Sequence, residues 1–224
     1  MNHVSKLAAI GLISIAGAAF SAGLPLSIEP VNTEALPDVG EAWLTENPYR
    51  DVGVDVWKEA IEIGSSGYNQ NCARCHGLGV VSGGLAPDLR YLEAEEDGDE
   101  WFVERFQTGY TQGGTTKMPA FGDLLGQKAA WAIRTYIETR PDEDSLAEHT
   151  ERLKEIRDIL VGGQAGDIPA LQAELLEIGA KVETASGAPI ADSVALQAAV
   201  LLANASPDIV HAAEVLTIGL SAAQ

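Results

Sequence analysis

The chain has 224 residues, 46% of them hydrophobic, enough for one sizeable core or a compact domain with a smaller companion. Its 33 acidic residues outweigh 14 basic ones, for a net charge of −19. A surface of that sign repels phosphates, which argues against nucleic acid and anionic lipid as partners and leaves two readings, a solubilising coat or a match for a basic protein surface.

The N-terminus reads as an export signal. Lys6 closes a short polar segment, and Leu7 to Phe20 is apolar but shorter than the ~20 residues that span a bilayer. Ala16-Gly17-Ala18 fits the small-residue cleavage rule, which gives a signal peptide over residues 1–22 and no cysteine there for a lipid anchor. No later stretch reads as a membrane span, so the mature protein is expected to be soluble in the periplasm.

Val56 to Gln70 carries apolar residues at helical spacing, with Asp55 as its expected N-cap and Gly64 as the expected point of a close helix crossing. Directly after it comes "NCARCHG", residues 71–77, which holds both cysteines of the chain and a histidine. C-x-x-C-H is the attachment pattern of c-type haem. On one helical turn Cys72 and Cys75 share a face, so both sulfurs reach one side of a porphyrin, and His76 is carried under the ring to the iron. A zinc site would want four Cys or His ligands, and a redox dithiol would want a βαβ setting; neither context is present.

The stretch "GLGVVSGGLAPDLRYL" is glycine-rich and reads as a loop. "DEWFVERFQTG" reads as a helix with acids at its start and Gly109 at its end. In "GGTTKMPAFG", Gly113 and Gly114 make a loop and Pro119 fixes the backbone after Met118. Methionine is usually core filler, but fillers sit on amphipathic elements and this one does not. Met118 is therefore the expected sixth iron ligand, and His149 and His211 are expected at the surface. "QKAAWAIRTYIET", residues 127–139, is an amphipathic helix that Arg140-Pro141 ends. Beyond it, residues 142–163, 167–179, 191–204 and 206–219 read as four further helices. No segment shows period-2 alternation, so the expected fold is all-α.

The haem motif, the proline loop, the Met-Pro loop and the closing helix together resemble a class I cytochrome c over residues 58–140. The resemblance implies that the carbonyl of Pro87 accepts a hydrogen bond from His76, and that Gly64 and Tyr136 meet where the first and last helices cross. "LPDVGEAWLTENPYR", "YNQNCARCHG", "SGGLAPDLRYL" and "WAIRTYIETR" are similar to the soluble monohaem c-550 branch that serves PQQ-dependent alcohol dehydrogenases. That branch implies an electron carrier, not an enzyme, with one covalent haem c, a PQQ-dependent alcohol dehydrogenase as donor and a downstream cytochrome or terminal oxidase as acceptor.

The implied organisation is a signal peptide over 1–22, an N-terminal extension over 23–52 that wraps the haem domain, a cytochrome c domain over 53–141 and a helical extension over 142–224. Tyr49 or Arg50 either approaches a haem propionate or is simply packed and exposed respectively. The acids Glu93, Glu95, Glu96, Asp97, Asp99 and Glu100 either steer a basic partner or form a solvated loop. The rival functions are a haem enzyme or sensor with an open sixth site and a permanently bound cytochrome subunit.

Overall fold

The apolar spacing before the cysteines produces α1 (Val54–Asn71), which buries Ala60, Gly64, Gly67 and Tyr68. The computed structural model describes residues 27–163, 166–191 and 193–222, and the expected signal peptide lies outside the described residues. Helix α1 starts after Gly53 with no side-chain cap, two residues earlier than an Asp55 cap would place it. Asp55 sits in its first turn instead, where a carboxylate favours the helix dipole.

Helix α3 (Glu96–Thr108) opens on Glu96, Asp97 and Asp99 and stops at Gly109, whose φ is 67°. Helix α4 (Gly122–Glu138) starts earlier than expected because it continues across a kink at Gly126. From Ala129 to Arg140 every residue is buried, since α4 packs on α1, on α3 and under the N-terminal segment. A Cβ at Gly64 would run into the carbonyl of Ala132, so the glycine lets backbone meet backbone at the crossing. Tyr136, expected opposite Gly64, lies one turn further along, against Tyr68 with ring centroids 5.5 Å apart. The glycine's neighbour is main chain because no side chain fits at that separation.

Between α3 and α4 stands a hairpin, β1 (Tyr110–Gln112) and β2 (Thr115–Met118), where the sequence reading placed only loop. Gly113 and Gly114 have φ of 56° and 76°, the pair of positive values a two-residue hairpin turn demands. Strands this short cannot display alternation.

Among the described residues before α1, 27–53, no helix or strand forms, and polar side chains strap the segment down. Asn71 brackets Glu29, accepting from its N–H at 2.8 Å and donating to its carbonyl at 3.0 Å. Gln127 donates to the carbonyls of Gly40 and Ala42 and accepts from the N–H of Leu44. At its end, Arg50 meets Asp99 at 3.0 Å and Glu138 at 2.8 Å, while Arg134 meets Asp99 at 2.8 Å. Asn47 adds its N–H to Asp99 and its amide to Glu138 and Thr135. Two guanidinium groups and two carboxylates thus balance inside the protein and tie three segments together. Burial alone would lower the pKa of Arg50, but Glu138 and Asp99 outweigh it and raise the value.

Past Pro141 the single helix expected over 142–163 breaks in two, α5 (Glu143–Ala147) and α6 (Thr150–Val161), at Glu148-His149. It breaks because Asp142 caps a first short turn on Ser145 and Leu146 turns inward to the core. Helices α7 (Ile168–Gly179), α8 (Val194–Leu202) and α9 (Ile209–Ala222) complete a bundle, with Asp167 and Ser193 as side-chain caps. The bundle core draws on Leu146 and later residues, whereas the buried apolar clusters around α1 and α4 end at Ile137. The two apolar cores do not merge. They are joined by polar contacts at the end of α4, where Ser186 Oγ donates to the carbonyl of Glu138 and its own carbonyl accepts from Ala94.

Candidate functional site

The C-x-x-C-H motif does not ride on α1 itself. Helix α1 ends at Asn71, Cys72 turns away with φ of −113°, and α2 (Ala73–His76) carries the rest. Both thiols are unpaired. Burial, with Cys75 adding to it, pushes the pKa of the Cys72 thiol up. His76 is buried at 9% exposure, and its Nδ1 lies 2.9 Å from the carbonyl of Pro87. With Nδ1 donating to that carbonyl, Nε2 keeps its lone pair for a metal.

The backbone after His76 is held tightly. Gly77 has φ of 86°, and a Cβ there would strike the carbonyl of Val81. Tyr68 donates its hydroxyl to the Gly77 carbonyl at 2.9 Å. Val80 is fully buried at φ 71°, a costly conformation for a β-branched residue that its burial among Leu89, Tyr68 and their neighbours offsets.

Met118 closes β2, half-buried, and packs on the same apolar cluster as Cys72, a cluster that includes Phe102, Phe106 and Phe121. Helix α4 contributes Ile133, Tyr136 and Ile137 to it. The donor set is thus two thiols on one turn, one imidazole with its outer nitrogen already engaged, and one thioether packed on the same apolar cluster as Cys72. That set suits an apolar macrocycle with an iron at its centre. Among the described residues no three His, Cys, Asp or Glu side chains converge as a zinc site would need.

Tyr49 is buried, as its packed reading expects, and donates its hydroxyl to the carbonyl of Pro37 at 3.4 Å. Arg50 is not simply exposed: it gives its guanidinium to Asp99 and Glu138. Asp99 is fully buried in ion pairs and drops out of the acidic run; Glu93, Glu95, Glu96, Asp97 and Glu100 remain exposed.

Comparison with known proteins agrees with this architecture. Over 133 residues, 58% of this chain and 91% of the relative, the sequence is 45% identical to cytochrome c550 of Pseudomonas aeruginosa. The chain belongs to the cytochrome c550 family. Its residues 59–137 also match the profile of cytochrome c oxidase, cbb3-type, subunit III. Two quinohemoprotein alcohol dehydrogenases of Pseudomonas putida are similar to part of this cytochrome. ADH IIB is 37% identical over 93 residues, 41% of this chain and 13% of its own length. ADH-IIG is 35% identical over 78 residues, 35% of this chain and 10% of its own. No solved structure gives a significant match. The cytochrome is thus an electron carrier with an all-α class I fold, and haem c is its family's cofactor. Among its described residues no helix is long and apolar enough to cross a membrane.

The sequence reading did not single out Asp88, Arg90, Arg134 or Glu138. A signal for the last two was present: an arginine and a glutamate four apart inside "AAWAIRTYIE" stand where every neighbour is apolar or small.

Proposed function

We propose that this cytochrome is an exported, soluble shuttle of the periplasm. It carries one haem c joined through Cys72 and Cys75, with His76 and Met118 on the iron. It takes electrons from a PQQ-dependent alcohol dehydrogenase and passes them to a downstream cytochrome or terminal oxidase. The observation that carries the reading is the bond from His76 Nδ1 to the Pro87 carbonyl, next in the chain to two free thiols, of which Cys72 packs on the same apolar cluster as Met118.

When bound, the haem supplies a one-electron couple at its iron. The chain's own residues set the conditions. The Pro87 carbonyl orients the His76 imidazole and raises its basicity. The Met118 sulfur is a soft donor, which favours the reduced metal and raises the potential relative to a second imidazole. Phe102, Phe106, Phe121, Ile133 and Ile137 exclude water and hold the surroundings fixed, so little rearranges when charge changes. The donor assignment rests on the stretch shared with the two quinohaem alcohol dehydrogenases, in which a similar segment belongs to the dehydrogenase chain itself. Replacement Met118→Ala tests the ligation: the thioether-to-iron absorption band of the ferric protein is expected to vanish. Survival of that band overturns the assignment.

A further inference from the structure

The His76–Pro87 bond is only as firm as the loop that carries Pro87, and that loop is exposed at Pro87 itself. Its firmness comes from polar links made by Ser82, Asp88 and Arg90, among them the Arg90 N–H to Asp88 Oδ1 at 3.0 Å. Ser82 Oγ donates to the carbonyl of Ala86 at 2.5 Å, and the N–H of Ser82 donates to Asp88 Oδ2 at 3.3 Å. Asp88 in turn receives Arg90 fork to fork, with Nε to Oδ1 at 3.0 Å and Nη2 to Oδ2 at 2.7 Å. Burial alone would raise the pKa of Asp88, but the bonds from Arg90 and Ser82 hold it below the ordinary carboxylate value. The guanidinium is only 4% exposed. Its remaining contacts leave the loop altogether: Nη1 donates to the carbonyl of Pro141 at 3.4 Å, and Nη2 lies 3.4 Å from Glu143. Those two residues form the joint where α4 ends and the C-terminal bundle begins. The joint is anchored in turn, because Asp142 donates its N–H to Glu183 at 2.8 Å.

From this we infer that Arg90 is a positioning residue for the iron's histidine ligand, and that it ties the Pro87 carbonyl to the joint of the C-terminal bundle. This rests on the ligation by His76 proposed above. Arg90 touches neither His76 nor Pro87 directly; it acts by fixing Asp88, the residue that follows the accepting carbonyl. Only arginine fits the post. A planar fork can hold both oxygens of Asp88 and still present Nη1 to the Pro141 carbonyl, whereas an ammonium is a point charge that cannot face all of them at once. With the clamp loosened, the carbonyl accepts less strongly from Nδ1–H, the imidazole becomes a weaker donor to iron, and the oxidised state loses support.

The test compares the holoprotein with Arg90→Lys, which keeps the buried charge, and with Ser82→Ala, which loosens the same loop without touching any charge. Two quantities are read: the midpoint potential and the hydrogen-exchange rate of His76 Nδ1–H by nuclear magnetic resonance. Both variants are expected to shift the potential upward and to speed the exchange, about fivefold for a bond of ordinary net strength. The methionine-to-iron band is expected to stay in place. An unchanged potential and unchanged exchange in a correctly assembled Arg90→Lys overturn the inference whatever Ser82→Ala does, and if Arg90→Lys fails to mature, Asp88→Asn, which removes the carboxylate that Arg90 grips, decides in its place by the same two readouts. Failure of the underlying ligation is separately visible, because the parent protein would then lack the His76 ring resonances shifted by the haem.

Discussion

Replacing Asp99 by asparagine removes one charge from the buried group of Arg50, Asp99, Arg134 and Glu138 while nearly preserving shape. Asp99 is fully buried and accepts from the Asn47 N–H at 2.9 Å, from Arg50 Nη2 at 3.0 Å and from Arg134 Nε at 2.8 Å. In the parent, two cations face two anions. In Asp99→Asn two guanidinium groups share Glu138 alone, and an amide NH2 points at donors. Breaking a buried pair in this way costs about 3–5 kcal/mol. Arg50 is 20% exposed and finds some water, which places the expected loss near ~3 kcal/mol. For a chain of this size that lowers Tm by roughly 6–12 °C. The assay is thermal and denaturant unfolding at neutral pH, followed by far-ultraviolet circular dichroism. The double variant Asp99→Asn with Arg50→Gln restores neutrality, so its cost should fall short of the sum of the singles by about 1 kcal/mol or more. A loss below about 1 kcal/mol in the single variant, or strict additivity in the double, would refute the idea of a charge-balanced internal group.

Gly64→Ala forces a methyl into the Ala132 carbonyl, so α1 and α4 must part. It should cost about 1–3 kcal/mol in denaturant unfolding, and a neutral result would mean that the crossing is looser than described. A chain ending at Asp142 should still attach haem and keep the methionine band, because the bundle core shares no apolar residue with the cluster around Met118. It should lose about 1–3 kcal/mol, since Ser186 no longer satisfies the Glu138 carbonyl. A high-spin ferric spectrum of that protein would show instead that the bundle shields the haem.

Much of this was written locally in the sequence. Helical spacing in "VWKEAIEIGSSGYNQ", the glycines that end α3 and α6 and the adjacency of Cys72, Cys75 and His76 fix their elements without reference to anything distant. Gly64 announced a close crossing, yet its opposite number could not be read, because which turn of α4 arrives there depends on packing across the whole helix pair. Asp99 looked like one more surface acid; only the fold brings Arg134, thirty-five residues on, and Arg50, on the wrapping segment, to its two oxygens. The break of the expected 142–163 helix at Glu148-His149 was also out of reach, as it follows from how Leu146 enters the bundle core. The pairing of Asp88 with Arg90 lay two residues apart in plain view, but the reach of Arg90 to Pro141 and Glu143 is a tertiary fact.

The acids left exposed before and within the first turns of α3, Glu93, Glu95, Glu96, Asp97 and Glu100, give this end of the helix a negative surface. The measurement that tests the account most directly is stopped-flow mixing of the oxidised cytochrome with the substrate-reduced PQQ-dependent alcohol dehydrogenase of the same cell, following the haem absorption bands. The account predicts rapid one-electron reduction of the cytochrome, at a rate that depends on the concentration of the dehydrogenase. A cytochrome that a small-molecule reductant reduces fully, but that stays oxidised in front of the reduced dehydrogenase, would contradict it.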